Sequence, residues 1–430
     1  MEETDGGSKC TEHLSSRLKG VLQDIHDEDC PFVPDPPECN KRAAVALVIR
    51  IRPPFPQEAV FDQENCSSSS QPFQTTLDNF FSQSWIRHGD PEVLFIKRAA
   101  RAGDRWTSHI AFPGGKRDPG DSDDRATSVR ETMEETGLDL NTDHSLFIGN
   151  LPERVIRMMW GETPLMVLCP FVYLMMRHDL PPLALQPSEI HSVHWVPIRG
   201  LLTPSLRKSV RSDVSERFTR QRSPYISMLI RAVAGQMVFG AVKLKPTESL
   251  YSSSLPSYIP EDDSPISFSA SVVRIANTAL FGGEGQSDAD DQPLMLWGLT
   301  LGIVADLLEL IDMNGTSKLW SWPTLSPWDI RFTVWLLTYK FRSRKLRELT
   351  TRTGRPGSNE VRIGGLDNTT FTTSTTRQSK ASEAGAAAMQ LLDGYAGEMR
   401  KAVLVALFLR FSVGASFAAY LIRKHRRSRL

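Results

Sequence analysis

The sequence predicts an α/β protein with long insertions and a C-terminal transmembrane helix. Three observations lead to this prediction. Several short runs rich in Val and Ile have the composition of β-strands. A glycine turn within residues 112–138 precedes a helix that places three glutamates on one face. The apolar run 402–422 contains 21 residues, which is the length of a membrane span.

The N-terminal sequence indicates a weakly ordered lead-in segment followed by the start of a domain. Its first residues, MEETDGGSKC, lack the basic start and apolar run of a secretory signal, and we expect residues 1–40 to be weakly ordered. Residues 42–52, RAAVALVIRIR, predict the first strand of a domain over 41–200, with a loop insertion at about 53–90. Further strands are predicted at 92–97, 170–175 and 189–197.

Residues 112–138 read FPGGKRDPGDSDDRATSVRETMEETGL. The Asp123/Asp124 pair can cap the start of a helix, and Gly137 tolerates the left-handed conformation that ends one. These signals predict a helix between the acidic pair and the glycine.

The predicted helix gathers negative charge on one side. Residues three and four apart share a face, so Glu131, Glu134 and Glu135 form one stripe. Such carboxylates favour a divalent counter-ion, and Mg²⁺ or Mn²⁺ prefers oxygen ligands. A solvated helix with an Arg130–Glu134 ion pair explains the charge spacing equally well.

The string R-E-x-x-E-E-x-G-L, from Arg130 to Leu138, resembles the Nudix box, G-x5-E-x7-R-E-U-x-E-E-x-G-U with U apolar. Ser122 stands where the pattern has its first glutamate, and the gap after Gly115 is one residue longer. Thr132 replaces an apolar residue. The missing glutamate and the insertion are similar to the coenzyme A diphosphatase branch, in which FPGG precedes a D-P-x-D-x-D run.

That branch also has an upstream signature, L-L-x-x-R-S and then G-E-V-A-F-P-G-G. Residues 94–115, LFIKRAARAGDRWTSHIAFPGG, match it at Arg98 and at 111–115. Ser108 and His109 stand where the branch has Gly-Glu. His109 could contact substrate, transfer a proton near neutral pH, or be an ordinary polar loop residue.

The resemblance implies Mg²⁺- or Mn²⁺-dependent hydrolysis of a diphosphate bond in coenzyme A, acyl-coenzyme A or a related nucleoside diphosphate derivative. The catalytic residues it implies are Glu131, Glu134, Glu135 and Arg130. The metal ligands are Glu131, Glu134, Glu135 and the carbonyl of Gly115, and the substrate contacts are Arg98, Gly114, Gly115 and His109. Arg130 is expected to orient a helix carboxylate, and Glu189 is a weaker candidate for an extra ligand or base. The alternative is a membrane-tethered Nudix-like binding or scaffold protein with little turnover.

The fold that the resemblance implies is the α/β/α Nudix sandwich, a mixed sheet between helices. Residues 296–300 and 303–311 resemble its last strand and second helix, so the domain resumes over 291–315. The intervening 201–290 is rich in Ser, Pro, Gly and acids, which predicts a partly disordered insertion with a strand at 237–244. It could shape substrate access or have no such role.

The segment 316–349 is rich in tryptophan, and Ser326 and Pro327 predict a helix start within it. This helix would suit either a membrane interface or packing on the domain core. Residues 350–398, with many Arg, Gly, Ser and Thr, predict a flexible linker.

Residues 399–424 are predicted to form a single transmembrane helix, followed by the basic tail 425–430. Apolar residues surround the run 402–422, although Arg410 lies within it, and a buried core helix is the alternative. The basic tail favours a cytosolic C-terminus, whereas its shortness favours a tail that crosses, so topology stays open. Ser428-Arg429-Leu430 resembles the S-K-L peroxisomal address, which makes the peroxisome one candidate location.

Composition excludes other classes. Lys+Arg and Asp+Glu both number 50, so no net charge favours nucleic acid. The 5 cysteines contain no C-x-x-C pair, which argues against a zinc site or a disulfide framework. The predicted partners are a nucleoside diphosphate-linked small molecule and a membrane, and the oligomeric state is not indicated.

Overall fold

The structure is a computed structural model of the chain. It describes residues 3–28, 30–37, 39–54, 72–100, 107–157, 163–177, 179–212, 235–254, 293–311, 321–353 and 394–427.

The described helices are α1 (Glu3–Asp27), α2 (Phe73–Ser82), α3 (Ser84–Arg87), α4 (Asp124–Thr136), α5 (Ile198–Leu202), α6 (Gly298–Ile311), α7 (Trp328–Leu337), α8 (Tyr339–Thr353) and α9 (Tyr395–Arg427). The described strands are β1 (Arg42–Arg52), β2 (Asp90–Arg98), β3 (Ile110–Ala111), β4 (Gly114–Lys116), β5 (Ser145–Asn150), β6 (Arg154–Arg157), β7 (Pro164–Met175), β8 (Ile190–Pro197), β9 (Arg207–Ser212), β10 (Met237–Lys243), β11 (Glu248–Tyr251), β12 (Met295–Trp297) and β13 (Thr324–Leu325).

The main sheet is mixed. Its order is β11-β8-β2-β1-β7-β5, and the short strands β3, β4 and β6 pair with β2, β1 and β7. The central pair β1–β7 is parallel, whereas the other pairs of this sheet are antiparallel.

Helices cover both faces of this sheet. Successive side chains of a strand point to opposite faces, and in β1 Leu47 and Ile49 join one core cluster while Ala46 and Val48 join another. The first cluster packs under α1, α2, α3 and α6, and the second packs under α4, which contributes Val129. The predicted α/β/α sandwich with a mixed sheet is therefore confirmed.

The prediction of a weakly ordered lead-in over 1–40 is wrong where the structure describes α1. Leu14, Leu18, Val21, Leu22 and Ile25 are buried in the larger core cluster. Their spacing of three and four residues places them on one helical face, so α1 forms part of the sandwich.

The predicted loop insertion at 53–90 also differs from the structure. Residues 72–90 form α2, α3 and the start of β2, and Leu77, Phe80 and Ile86 are fully buried. The remainder of this prediction, residues 55–71, lies outside the described residues.

Described parts of the predicted insertion 201–290 belong to two sheets. β10, predicted at 237–244, is the centre of a small sheet with β9, β12 and β13, whereas β11 pairs with β8 at the edge of the main sheet. Residues 213–234 and 255–292 lie outside the described residues. The strand predicted at 296–300 ends at Trp297, because Gly298 adopts a φ of 70° and α6 begins there.

The Trp-rich segment forms α7 and α8. Helix α7 begins at Trp328 after Pro327, and Ser326, instead of capping it, accepts a hydrogen bond from the Gln236 N–H. Of the predicted linker 350–398, residues up to Thr353 belong to α8 and those from Tyr395 belong to α9, while 354–393 lie outside the described residues.

Helix α9 extends beyond the predicted 399–424 at both ends. Its first part packs on α7 and β13 through Tyr395, Met399 and Ala402. Among the described helices it is the one long and apolar enough to cross a membrane. Residues Ser428–Leu430 lie outside the described residues.

Candidate active site

Helix α4 starts and ends as its sequence predicts. Asp123 caps it by accepting the Ala126 N–H at 2.7 Å, and Gly137 ends it with a φ of 72°. Val129 packs on the sheet. Thr132, where the Nudix pattern has an apolar residue, is buried and donates its hydroxyl to the Ser128 carbonyl. Hydrogen bonding within the helix thus allows a polar residue at this position.

The glycine turn lies against this helix. Gly114 has a φ of 147°, and a Cβ atom there would stand 2.2 Å from the Ala44 carbonyl oxygen. A Cβ atom on Gly115 would stand 2.4 Å from the Glu131 carboxyl carbon. Gly114 therefore requires glycine, whereas a side chain at 115 would displace the end of the Glu131 side chain, and the turn brings backbone groups next to the helix carboxylates.

Glu135 is the most buried of the three helix glutamates, with 1% of its side chain exposed. Its Oε2 accepts the Gly114 N–H at 2.9 Å, and its Oε1 lies 3.6 Å from the Arg98 guanidinium. Burial nevertheless raises the pKa of Glu135 to about 8, and the charges of Glu131 and Glu189 act in the same direction.

Glu131 lies over Gly115 and is half-buried. Burial raises its pKa, and the charges of Glu134 and Glu189 add to this effect against the opposing influence of Arg130. The structure thus brings Glu189, in the turn before β8, near the two helix glutamates. These carboxylates lose solvation and repel one another, which is the electrostatic situation that a cation relieves.

Arg130 contacts carboxylates on two sides. It donates to both oxygens of Asp121 at 2.9 and 3.0 Å and to Glu134 at 3.0 Å, and it lies 3.1 Å from Glu131. Glu134 is 53% exposed at the rim of the site. The Arg130–Glu134 ion pair is therefore present together with the acidic cluster, and the predicted role of Arg130 in orienting a helix carboxylate stays a prediction.

Asp121 is a site residue that the sequence comparison missed. Its Oδ2 also accepts the Thr127 hydroxyl and the Asp118 N–H, both at 2.9 Å, and the Arg130 guanidinium holds its pKa far below the usual range. The carboxylate absent at Ser122 is supplied one residue earlier. The signal was the acidic run DPGDSDD, combined with a gap one residue longer than the pattern.

Arg98 is the last residue of β2, and His109 lies immediately before the neighbouring strand β3. The Arg98 N–H donates to the His109 carbonyl at 3.0 Å, so the two predicted substrate residues are adjacent. The His109 ring lies 4.6 Å from that of Trp297, which in turn lies 5.2 Å from Phe239. β10 and β12 thus add an aromatic surface beside His109, which no sequence pattern indicated.

The donor set fits a hard divalent cation, because it consists of glutamate oxygens and backbone carbonyls. Burial raises the pKa of Glu131 and of Glu135, so a bound cation would favour the charged form of both carboxylates. The predicted ligands Glu131, Glu134, Glu135 and Gly115 therefore lie together in one acidic region. Their specific roles remain predictions.

A second acidic group lies at the start of α4. Ligand atoms of Asp124, Glu153 and Cys169 are within 4.8 Å of one another. The Arg42 guanidinium donates to Asp124 at 2.7 Å, to Glu153 at 2.8 Å and to Cys169 at 3.2 Å. Because Arg42 already supplies positive charge there, this group joins β1, α4 and β7 rather than calling for a metal ion.

Comparison with known proteins identifies the domain. Residues 84–218 match the NUDIX domain. An uncharacterized protein, C14C4.10c of Schizosaccharomyces pombe, is 32% identical over 256 residues, which are 59% of this chain and 67% of that protein.

Enzymes with assigned activities match over shorter stretches. The mitochondrial coenzyme A diphosphatase NUDT8 of Mus musculus is 43% identical over 13% of this chain and 27% of its own length. The peroxisomal coenzyme A diphosphatase ndx-8 of Caenorhabditis elegans is 34% identical over 23% of this chain and 38% of its own length. This chain therefore spans less than half of either enzyme. A Nudix hydrolase crystal structure from Alicyclobacillus acidocaldarius is 20% identical, covers 39% of this chain and 83% of that one, and has a TM-score of 0.23.

Proposed function

The chain belongs to the Nudix hydrolase family, and we propose that it cleaves a diphosphate bond in coenzyme A, acyl-coenzyme A or a related nucleoside diphosphate derivative. The observation that carries the proposal is the position of Glu131 and Glu135 against the glycine turn. Their carboxylates are removed from water, and the pKa of each is raised by burial. A bound divalent cation would stabilise the charged forms of both carboxylates.

The chain's own residues would hold the ion, with the carboxylates of Glu131, Glu134 and Glu135 and the Gly115 carbonyl as ligands. When bound, Mg²⁺ or Mn²⁺ polarises phosphoryl oxygens and lowers the pKa of the attacking water. Among the described residues, the ligand atoms of these three glutamates are not as close together as those of Asp124, Glu153 and Cys169 around Arg42. We therefore expect more than one ion, or one ion that keeps water and substrate oxygens in its shell.

The protein groups around the ion have separate tasks. Glu131 is the first candidate to accept the proton of the attacking water instead of binding the ion, and Glu189 is a weaker candidate for an extra ligand or base. Arg130, held by both oxygens of Asp121, keeps Glu131 and Glu134 in place.

The substrate proposal uses the neighbouring groups. Arg98 offers positive charge for a phosphate, since its guanidinium lies at the buried edge of the acidic cluster. His109, Trp297 and Phe239 form an aromatic surface on which a nucleotide base can stack. The assignment to coenzyme A is supported by the names of the two relatives that match over short stretches.

The test is a substrate panel with the purified full chain in detergent and Mg²⁺. We expect release of adenosine 3′,5′-bisphosphate from coenzyme A, or of a nucleoside monophosphate from ADP-ribose or a dinucleotide. Glu134→Gln should lower kcat at least about 100-fold, the scale of losing a catalytic carboxylate.

Glu348→Gln is the matched control, because Glu348 also forms an exposed i,i+4 ion pair, with Arg344 on α8. It should leave turnover unchanged. Absence of turnover across the panel, or equal turnover by Glu134→Gln, would favour the alternative, a membrane-tethered Nudix-like binding or scaffold protein.

We further propose that α9 attaches the enzyme to a membrane as a single-pass anchor. Its length and its exposed apolar side chains support this, including Phe408, Phe411 and Phe417. The peroxisome is one candidate location, because one named relative is peroxisomal. The mitochondrial name of another relative makes that organelle the competing location.

A further inference from the structure

Helix α9 has two different halves. Over its first part, Tyr395, Met399 and Ala406 are buried against α7 and β13. From Phe411 to Ile422 the apolar side chains are exposed; Phe411, Val413, Phe417 and Ile422 each expose between 56% and 69% of their surface. The helix is thus docked at one end and unpartnered, within the described residues, at the other.

The unpartnered half is too short to cross a bilayer. Residues 411–422 rise about 18 Å at 1.5 Å per residue, whereas the hydrocarbon core is about 30 Å thick. Arg423 and Lys424 follow this half immediately. If α9 were inserted less deeply, these two charges would stay within the hydrocarbon core. A complete crossing must therefore include about eight preceding residues, 403–410, which lie beside α7.

Helix α7 packs beside residues 403–410. Ile330 and Val334 pack towards α9. On the outward side, Trp328, Phe332 and Trp335 of α7 and Tyr339, the first residue of α8, follow one another at intervals of four, three and four residues, and they expose 81, 58, 51 and 56% of their surfaces. This aromatic stripe has the composition of a lipid-facing surface at the membrane boundary. The 10 residues of α7 rise about 15 Å, half the hydrocarbon thickness.

An ion pair joins the two helices at the deep end of this stripe. Arg410, the charged residue within the apolar run, donates from Nε and Nη2 to the two oxygens of Asp329 on α7. A charge within hydrocarbon is tolerated when it is paired. Because its partner belongs to α7, the start of α7 must lie at the same depth as Arg410 while the pair is kept.

The turn that precedes α7 has its own hydrogen-bond partners. Ser326 N–H donates to the Gln236 carbonyl at 2.7 Å, and the Gln236 N–H donates to the Ser326 hydroxyl at 2.9 Å. Non-helical backbone at membrane depth requires such internal satisfaction. Basic residues then mark where the unit leaves the membrane: Lys340, Arg342, Arg344, Lys345 and Arg347 on α8, and Arg423, Lys424, His425 and Arg427 at the far end of α9.

We propose that the membrane-embedded unit of this protein is a helix pair inserted in a phospholipid bilayer. Residues 403–422 cross it, α7 enters beside them as a re-entrant helix, its aromatic stripe contacts lipid, and Asp329 neutralises Arg410. The inference rests on the proposed membrane attachment but goes beyond it, since a single anchor helix needs neither Asp329 nor the stripe. It is independent of which diphosphate the enzyme cleaves.

The first measurement uses the full chain reconstituted in phosphatidylcholine–phosphatidylserine vesicles. The full chain should resist carbonate extraction, and the chain lacking 399–430 should appear in the supernatant. If the full chain is itself extracted, the membrane attachment is wrong, and the helix pair with it. The diphosphatase assay would be unaffected by that failure.

The second measurement locates α7. Acyl-chain-brominated phosphatidylcholine should quench part of the tryptophan fluorescence, and Trp328→Phe/Trp335→Phe should remove most of the quenchable part. Trp85→Phe, a change at a buried tryptophan of the larger core cluster, should retain it. Equal quenching in all three proteins would overturn the helix pair while leaving a single anchor helix.

The third measurement tests the ion pair. Asp329→Leu should lower the ratio of carbonate-resistant to extracted protein about tenfold or more, because it leaves Arg410 unpaired in hydrocarbon. Asp329→Leu/Arg410→Leu should restore the ratio, which also shows that the Asp329→Leu change permits folding. Asp179→Leu, at an ion pair on the described surface with Arg177, is the control. No loss on Asp329→Leu, or no recovery in the double variant, would contradict the proposal.

Discussion

The Glu131 carboxylate packs against Gly115. A Cβ atom at position 115 would lie 2.4 Å from the carboxyl carbon of Glu131. The glycine is therefore needed for the space that it leaves. Gly114 is needed for its backbone as well, because its φ of 147° is strained for other residues. Together they allow the turn to approach α4 closely enough for Glu135 to accept the Gly114 N–H.

We expect Gly115→Ala to displace Glu131 and lower kcat about 10- to 100-fold, because a shift of about 1 Å at a catalytic group costs this much. Steady-state kinetics with coenzyme A and titrated Mg²⁺ would measure the loss. Gly120→Ala is the control, since a Cβ atom at that position of the same loop meets nothing within 4 Å. Unchanged kinetics in Gly115→Ala would show that catalysis does not depend on the position of the Glu131 carboxylate.

At this scale, the sequence predicted what helical periodicity and backbone conformation determine. The grouping of Glu131 and Glu135 follows from their spacing, and the need for Gly114 follows from the turn. Asp121 could not be placed, because a loop with one extra residue has no fixed register. The His109–Trp297 contact also escaped prediction, because the two residues are 188 positions apart in the chain. Strand β3, which follows His109, lies next to β12 only in the folded state.

Helix α1 shows how an element escapes sequence analysis. Its first residues are polar and acidic, which suggested disorder, yet Leu14, Leu18, Val21, Leu22 and Ile25 form an apolar stripe at helical spacing. The stripe completes the core beneath β5 and α6. Composition averaged over the first 40 residues concealed it, whereas periodicity over residues 14–25 indicates it.

Leu22→Ala should destabilise the fold by about 3 kcal/mol, the cost of deleting a fully buried leucine side chain and leaving a cavity. Urea unfolding followed by far-UV circular dichroism would detect the shift. The exposed Ser16→Ala, on the same helix, should change stability by less than about 0.5 kcal/mol. Equal midpoints for Leu22→Ala and the native chain would mean that α1 is peripheral to the folded domain.

Across the whole molecule, the layered architecture was predictable, but the connections between distant segments were not. The α/β/α order follows from strand and helix patterns around a recognisable motif. The pairing of β11 with β8 depends on which edge is available after the sheet has formed, and no local pattern encodes it. His194 marks this junction, since its two ring nitrogens lie 2.8 Å from the hydroxyls of Ser192 and Ser249, on β8 and β11.

His194 should make this junction sensitive to acid. Burial lowers its pKa to about 4, and the charges of Lys97 and His191 act in the same direction. The unfolded chain binds a proton near pH 6.5 and the folded one does not until about pH 4. Stability is therefore complete above pH 6.5 and declines by about 3 kcal/mol as the pH falls to about 4.

Hydrogen exchange of the β8 and β11 amides, corrected for intrinsic rates, should show protection falling about 100-fold between pH 7 and pH 4. His194→Gln should remove most of this dependence, because an amide side chain can still donate to one serine and accept from the other without titrating. His88→Gln, at an exposed position, should behave as the native chain does. Parallel pH profiles for His194→Gln and the native chain would show that His194 titrates normally and that the junction is held by other contacts.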